Sequence, residues 1–130
     1  MLTSNAHDAA VFAVAAACRT GDAAAMRTLF AANVVAVVDG EGERTGPESV
    51  SRLLAETANT DQKTSVSVES VNGQSGLAYR KAGRVVGIAA LSIEYGVINR
   101  VWLVLAPDKL RQWTRGSFDI EPPQTNISDR

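Results

Sequence analysis

Residues 84–110, RVVGIAALSIEYGVINRVWLVLAPDKL, decide the fold. They read as two long apolar strands joined by a tight turn at Glu94-Tyr95-Gly96 and stopped at Pro107. A hairpin of this length and apolarity is not stable alone, so the other elements are expected to pack against it or extend it. Gly87, inside the first strand, marks a bend or bulge that supplies curvature.

Upstream of the hairpin the pattern alternates. From Lys63 onward Val66, Val68 and Val71 alternate with polar residues, and Asn72-Gly73 signals a turn. Residues 75–80 then form a short strand, and Lys81-Ala82-Gly83 another turn. With the hairpin this makes a four-stranded antiparallel meander. The earlier segment is mostly helical. Residues 5–19 are rich in alanine, with Val11, Val14, Ala15 and Cys18 at helical spacing and Asn5 as cap. Gly21 ends that helix, and Asp22 caps a second over 23–31 that turns Met26, Leu29 and Phe30 inward. Residues 33–39 are β-branched and short, hence a strand, and 40–43 a polar loop. Pro47 and Glu48 open a third helix, with Val50, Leu53 and Leu54 as its buried stripe and Asn59 as its stop. The expected architecture is α+β: three N-terminal helices packed on one face of a curved, mostly antiparallel sheet. Residues 111–130 show no periodicity and read as a tail, docked in part through Trp113 and Phe118 and disordered at its end.

A chain of 130 residues bounds one domain with its own core. Its net charge of −1, with both signs interspersed, gives no footprint for nucleic acid or an anionic membrane. Cys18 is the sole cysteine, which excludes a disulfide framework or thiolate cluster and fits a reducing cytoplasm. The apolar run from Ala9 to Cys18 is shorter than a membrane span and lacks a signal peptide's basic flank. No HxxxH, CxxC, carboxylate cluster or phosphate loop is present, so neither a metal nor a cofactor is expected.

The series helix, Gly-Asp joint, helix, strand ending in Asp39, helix and meander resembles the nuclear transport factor 2-like superfamily. That fold is a cone of curved sheet over helices and includes ketosteroid isomerase and the SnoaL-like cyclases. TGDAAAMRTLFA at 20–31 is similar to the fold's entry segment. DGEGER at 39–44 and APDKL at 106–110 resemble the DGGGK and NPDKL signatures of the SnoaL-like domain at the C-terminus of certain bacterial extracytoplasmic-function sigma factors. VNGQSGLA at 71–78 and GRVVGIAAL from Gly83 agree. Glu41, Glu43 and Arg44 depart from the first signature, and Ala106 from the second. The resemblance covers residues 7–112, giving a domain over 1–112 and a tail over 113–130. With the first helix beginning close to Met1, sigma-factor domains are not expected. The resemblance then implies no direct nucleic-acid contact, and regulation only in trans, through a sigma-factor-like protein partner.

It also implies where chemistry would sit. Ketosteroid isomerase needs a carboxylate base at the end of the first strand, where Asp39 stands, and two oxyanion donors, a tyrosine and a protonated aspartate. Val14 and Ile88 hold the donor positions. Losing such donors costs on the order of several kcal/mol of transition-state stabilisation, so isomerase chemistry is not expected. His7, the sole histidine, reads as a solvated residue in the first turn of the first helix.

Strand alternation points Val86, Ile88, Ala90 and Ser92, with Asn99, Val101, Leu103 and Leu105, into the cone. Val14 and Cys18 face them from the first helix. This lining suits a small apolar ligand oriented by Asp39, Asn99 and Cys18, and it equally suits a collapsed core. The other face carries Val85, Gly87, Ala89, Leu91 and Ile93, with Arg100, Trp102 and Val104. Its apolar character suggests a homodimer interface through Leu91, Arg100, Trp102 and Val104, or cover by the chain's own tail. Gly40, Asp108 and Lys109 read as turn formers or as a partner-docking surface, and Leu110 as a plug at the base of the cone. Three functions are therefore expected in turn. The first is a small-molecule-binding or regulatory module with a mainly apolar pocket. The second is a small cyclase, isomerase or hydrolase with Asp39 as general base. The third is a module regulating a sigma factor.

Overall fold

The computed structural model describes residues 2–58, 64–105 and 110, with side chains from Ala6 onward. The elements run α1 (Leu2–Thr20), α2 (Ala23–Arg27), β1 (Phe30–Val38), β2 (Gly42–Thr45), α3 (Pro47–Ala58), β3 (Thr64–Val71), β4 (Gln74–Lys81), β5 (Arg84–Glu94) and β6 (Val97–Val104). The joint between α1 and α2 forms as its sequence demands. Gly21 takes φ +71, and Asp22 caps α2 by accepting from the Ala25 N–H at 3.0 Å.

The second helix is shorter than expected. It ends at Arg27, because the Leu29 carbonyl accepts from the Ile98 N–H at 2.9 Å and Phe30 pairs with Ile98 as the first residue of β1. Pairing with β6 thus overrides local helix propensity. Gly42 and Glu43, expected within a polar loop over 40–43, instead begin a strand that runs on through Arg44 and Thr45 and pairs with β1 from Val38↔Gly42 to Val35↔Thr45. All four are exposed, so no apolar alternation announces them, yet their main chain covers an edge of β1.

The six strands lie in the order β2-β1-β6-β5-β4-β3. Neighbours are antiparallel except β1 and β6. The three hairpins of the meander turn on Asn72-Gly73, Ala82-Gly83 and Tyr95-Gly96, every one of these residues at positive φ. That is the mirror-image turn whose twist matches paired strands.

Two apolar layers flank the sheet. On the helix side, Val11, Val14, Cys18, Met26, Val34, Leu54, Leu77, Tyr79 and Leu103 are fully buried in one cluster. On the outer side, Val71, Ala78, Val85, Ile88, Val104 and Leu110 form a second. Leu110 therefore covers the outer face and does not plug the base of the cone. The reason is that the outer face of the meander is itself apolar.

The expected facing of β5 is corrected beyond its first residues. Val85 packs in the outer layer and Val86 against the helix-side core, as alternation from the sequence gives. The pairing then shifts by one residue between Tyr79↔Gly87 and Arg80↔Val85. This bulge at Val86 inverts every later side chain. Ile88 and Ala90 face outward beside Val104 and Trp102, while Ala89 and Leu91 face the helices beside Leu103 and Val101. Leu91 is thus on the helix side and not on the outer face. In β6 the facing is as expected, with Val101 and Leu103 inward and Val104 outward. Gly87 is where the bulge needs it: a Cβ there would stand 2.9 Å from Leu105 Cδ2 and 3.1 Å from the Tyr79 ring.

Candidate functional site

The residues expected to line the cone come together only in part. Val14, Cys18, Val101 and Leu103 meet on the helix side, all fully buried, as members of a packed core. Ile88 and Ala90 lie on the opposite face. Asn99 sits at a register shift between Ser92↔Arg100 and Ile93↔Ile98, and its Nδ2 donates to Glu94 Oε1 at 2.9 Å. Among the described residues, Cys18 and Tyr79 bring polar atoms into the helix-side core cluster, and Ser51 of α3 is buried as well. Burial pushes the Cys18 thiol up to about 11, against smaller lowering by Tyr79 and Arg19, so it is a thiol at neutral pH and a poor nucleophile. Burial, then the neighbouring Cys18, pushes the Tyr79 phenol well above its ordinary range. The Tyr79 hydroxyl has no hydrogen-bond partner of good geometry, although Cys18 adjoins it.

Asp39 is half-buried where β1 ends, and its N–H donates to the Leu103 carbonyl at 2.9 Å. Gly40 is exposed in the turn to β2, at φ +83. Both stand at the end of β6 away from the Tyr95-Gly96 turn. Arg100 is exposed, with its guanidinium 5.9 Å from the centre of the half-buried Trp102 ring. Asp108, Lys109, Trp113 and Phe118 lie outside the described residues.

A different constellation forms at the other end of the sheet. His7 Nε2 is 2.8 Å from the Ser75 carbonyl oxygen, and the Ser75 hydroxyl donates to Asp8 Oδ1. These bonds tie the start of α1 to the start of β4. Beside them is a cavity of about 240 Å³, lined by the hairpin residues Val71, Asn72, Gln74 and Ser75, by residues 90–93 of β5, and by His7 and Trp102. Ala90 and Trp102 enter from the outer face, Leu91 and His7 from the helix side. The cavity is thus a slot between β4 and β5. It adjoins a wider depression of about 740 Å³ that shares His7, Gln74, Ser75 and Ile93 and reaches Asp8, Glu69 and Tyr95. Arg80 forms a paired contact with Glu69, 2.6 Å from Nη2 to Oε1. Among the described residues no three His, Cys, Asp or Glu side chains gather as a metal site. No described helix is long and apolar enough to cross a membrane.

His7 and Ser75 were not singled out for a site by the sequence, although a signal existed. His7 falls on the same helical stripe as Val11, Val14 and Cys18, at spacings of four, three and four, and so faces the sheet.

No family model matches the chain, and no curated protein matches it. Solved structures do. A nuclear transport factor 2-like protein of unknown function from Burkholderia xenovorans LB400 is 12% identical, with a TM-score of 0.58 over 97% of this chain and 96% of that one. An epoxide hydrolase from M. tuberculosis is 13% identical, at 0.55 over 85% and 90%. A de novo designed protein with a curved β-sheet is 16% identical, at 0.62 over 83% and 91%. At such identities the likeness shows the fold, and one cone carrying a hydrolase, a designed chain and a protein of unknown function shows that the fold does not specify activity. The chain has the α+β cone of the nuclear transport factor 2-like fold.

Proposed function

We propose that this protein is a small-molecule-binding module whose site is the slot between β4 and β5 and not the centre of the cone. The observation that carries this reading is the cavity of about 240 Å³ where His7, Ser75 and Trp102 converge. Apolar walls from Val71, Ala90 and Trp102, with a few fixed polar groups, are the usual make-up of a ligand site. Two hydrogen bonds between His7, Asp8 and Ser75 hold those polar groups in place before any ligand arrives. A ligand at the cone centre would instead have to displace Val14, Leu103 and Tyr79 from a close-packed core.

The test is fluorescence. The chain has two tryptophans, so Trp113→Phe leaves Trp102 as sole emitter. Titration with a panel of small neutral, cationic and anionic aromatic compounds is expected to give saturable quenching by at least one class. His7→Leu should weaken it. A folded protein whose Trp102 emission responds to no compound removes this reading.

A further inference from the structure

The ladder between β4 and β5 stops before either strand does. It runs from Lys81↔Arg84 to Leu77↔Ala89, although β4 begins at Gln74 and β5 continues to Glu94. Two residues further in the same register, Ser75 would stand opposite Leu91. The Ala89 carbonyl points at β4, because its oxygen lies 2.6 Å from where a Cβ on Gly76 would stand. Main-chain groups reverse direction at each residue of a strand, so Leu91 also turns its N–H and C=O toward β4. Leu91 lines the slot, yet as a whole residue it is only 4% exposed and it packs in the helix-side core, so the part of it turned to the slot is the main-chain edge that faces β4. The Ser75 carbonyl that would have met it receives His7 Nε2 instead. The start of α1 enters the sheet as a wedge.

We propose that the slot takes a neutral ligand bearing a primary carboxamide or lactam, whose carbonyl oxygen and adjacent N–H complete the ladder at Leu91 in place of β4. This rests on the slot being the binding site. Such a group offers, on one edge, an acceptor for the Leu91 N–H and a donor for its C=O, the two bonds an antiparallel neighbour would make. Main-chain groups facing a cavity require partners of this kind. Trp102, Val71 and Ala90 supply apolar surface for the planar body of the ligand. Among the described residues no Lys or Arg lines the slot or the depression beside it, Asp8 does, and Glu69 is already paired with Arg80, so an anion is disfavoured.

The probe is benzamide, titrated into the full ¹⁵N-labelled chain and compared with acetophenone, which keeps the ring and carbonyl but lacks the N–H, and with benzoate. The expected result is a saturable shift of the Leu91 amide, with acetophenone and benzoate at least about tenfold weaker. Equal binding of acetophenone overturns the amide assignment and leaves the slot reading standing. So does a silent benzamide titration when another compound still quenches Trp102. A second variant tests the wedge by itself. In His7→Ala the Ser75 carbonyl is released to pair with the Leu91 N–H, so hydrogen exchange at Leu91 should slow by at least about tenfold and benzamide binding should be lost. Unchanged Leu91 exchange in a folded His7→Ala protein overturns the wedge.

Discussion

Gly76 in β4 lies so close to the Ala89 carbonyl of β5 that a Cβ would stand 2.6 Å from the oxygen and 2.7 Å from Val71 Cγ2. The obstacle is main chain on one side, which cannot swing away. Alanine in a strand normally gains a little over glycine, but here overlap outweighs that gain. Gly76→Ala should destabilise the protein by about 1–3 kcal/mol, seen as a lower urea midpoint at unchanged slope. A neutral effect would mean that the two strands are farther apart at this point.

Tyr79 presents the opposite case, a group whose removal should help. Its hydroxyl is fully buried without a well-placed partner, and leaving a polar group so costs on the order of 1–3 kcal/mol. Tyr79→Phe keeps the ring over Gly87 and removes only that group. The variant should match the parent or exceed it by about 1 kcal/mol in thermal or urea unfolding. A clear loss would reveal a partner for the hydroxyl within the cone.

Tyr95 sits at φ +53 at the tip of the β5–β6 hairpin and is 100% exposed. A side chain there bears the left-handed strain with no burial to offset it. Tyr95→Asn or Tyr95→Gly should therefore raise stability by about 0.5–1 kcal/mol, or a few degrees in melting temperature. Ala82, at φ +53 in the preceding turn, should respond to Ala82→Gly in the same direction.

Glu69 gives the fold a pH dependence. Burial alone would raise its carboxyl, but hydrogen bonds from Arg80 and Ser67, with the Arg80 charge, hold it below its ordinary 4.5. A carboxyl lowered by folding stabilises the protein above its unfolded value, and that increment disappears as pH falls through the folded one. At neutral pH Glu69→Gln should be less stable than the parent by about 1 kcal/mol or less. The gap should close in acid, below the ordinary carboxylate range. Urea unfolding across that window measures it, and a gap independent of pH would assign the loss to packing.

Several elements were legible because their signals are local. Asn72-Gly73, Ala82-Gly83 and Tyr95-Gly96 mark the three hairpin turns of the meander with a glycine at the second positive-φ position. Asp22 and Pro47 mark helix starts. The β2 strand was not legible, since its residues are exposed on both sides and only the edge of β1 calls it into being. Nor was the end of α2, which the pairing of Phe30 with Ile98 decides.

By itself the sequence determined the type of nearly every element and the inward stripe of α1 through Val11, Val14 and Cys18, because period and turn chemistry act over a few residues. His7, read as solvated, is half-buried against Ser75. Tertiary structure alone decided which way Ile88, Ala90 and Leu91 face. The bulge at Val86 is fixed by Gly87 meeting Tyr79 and Leu105 across the sheet, and one added residue inverts an alternating strand. It also decided where the slot opens, since the bond that ties His7 to Ser75 joins residues 68 positions apart. Local pattern carries no record of which carbonyl a distant side chain will reach.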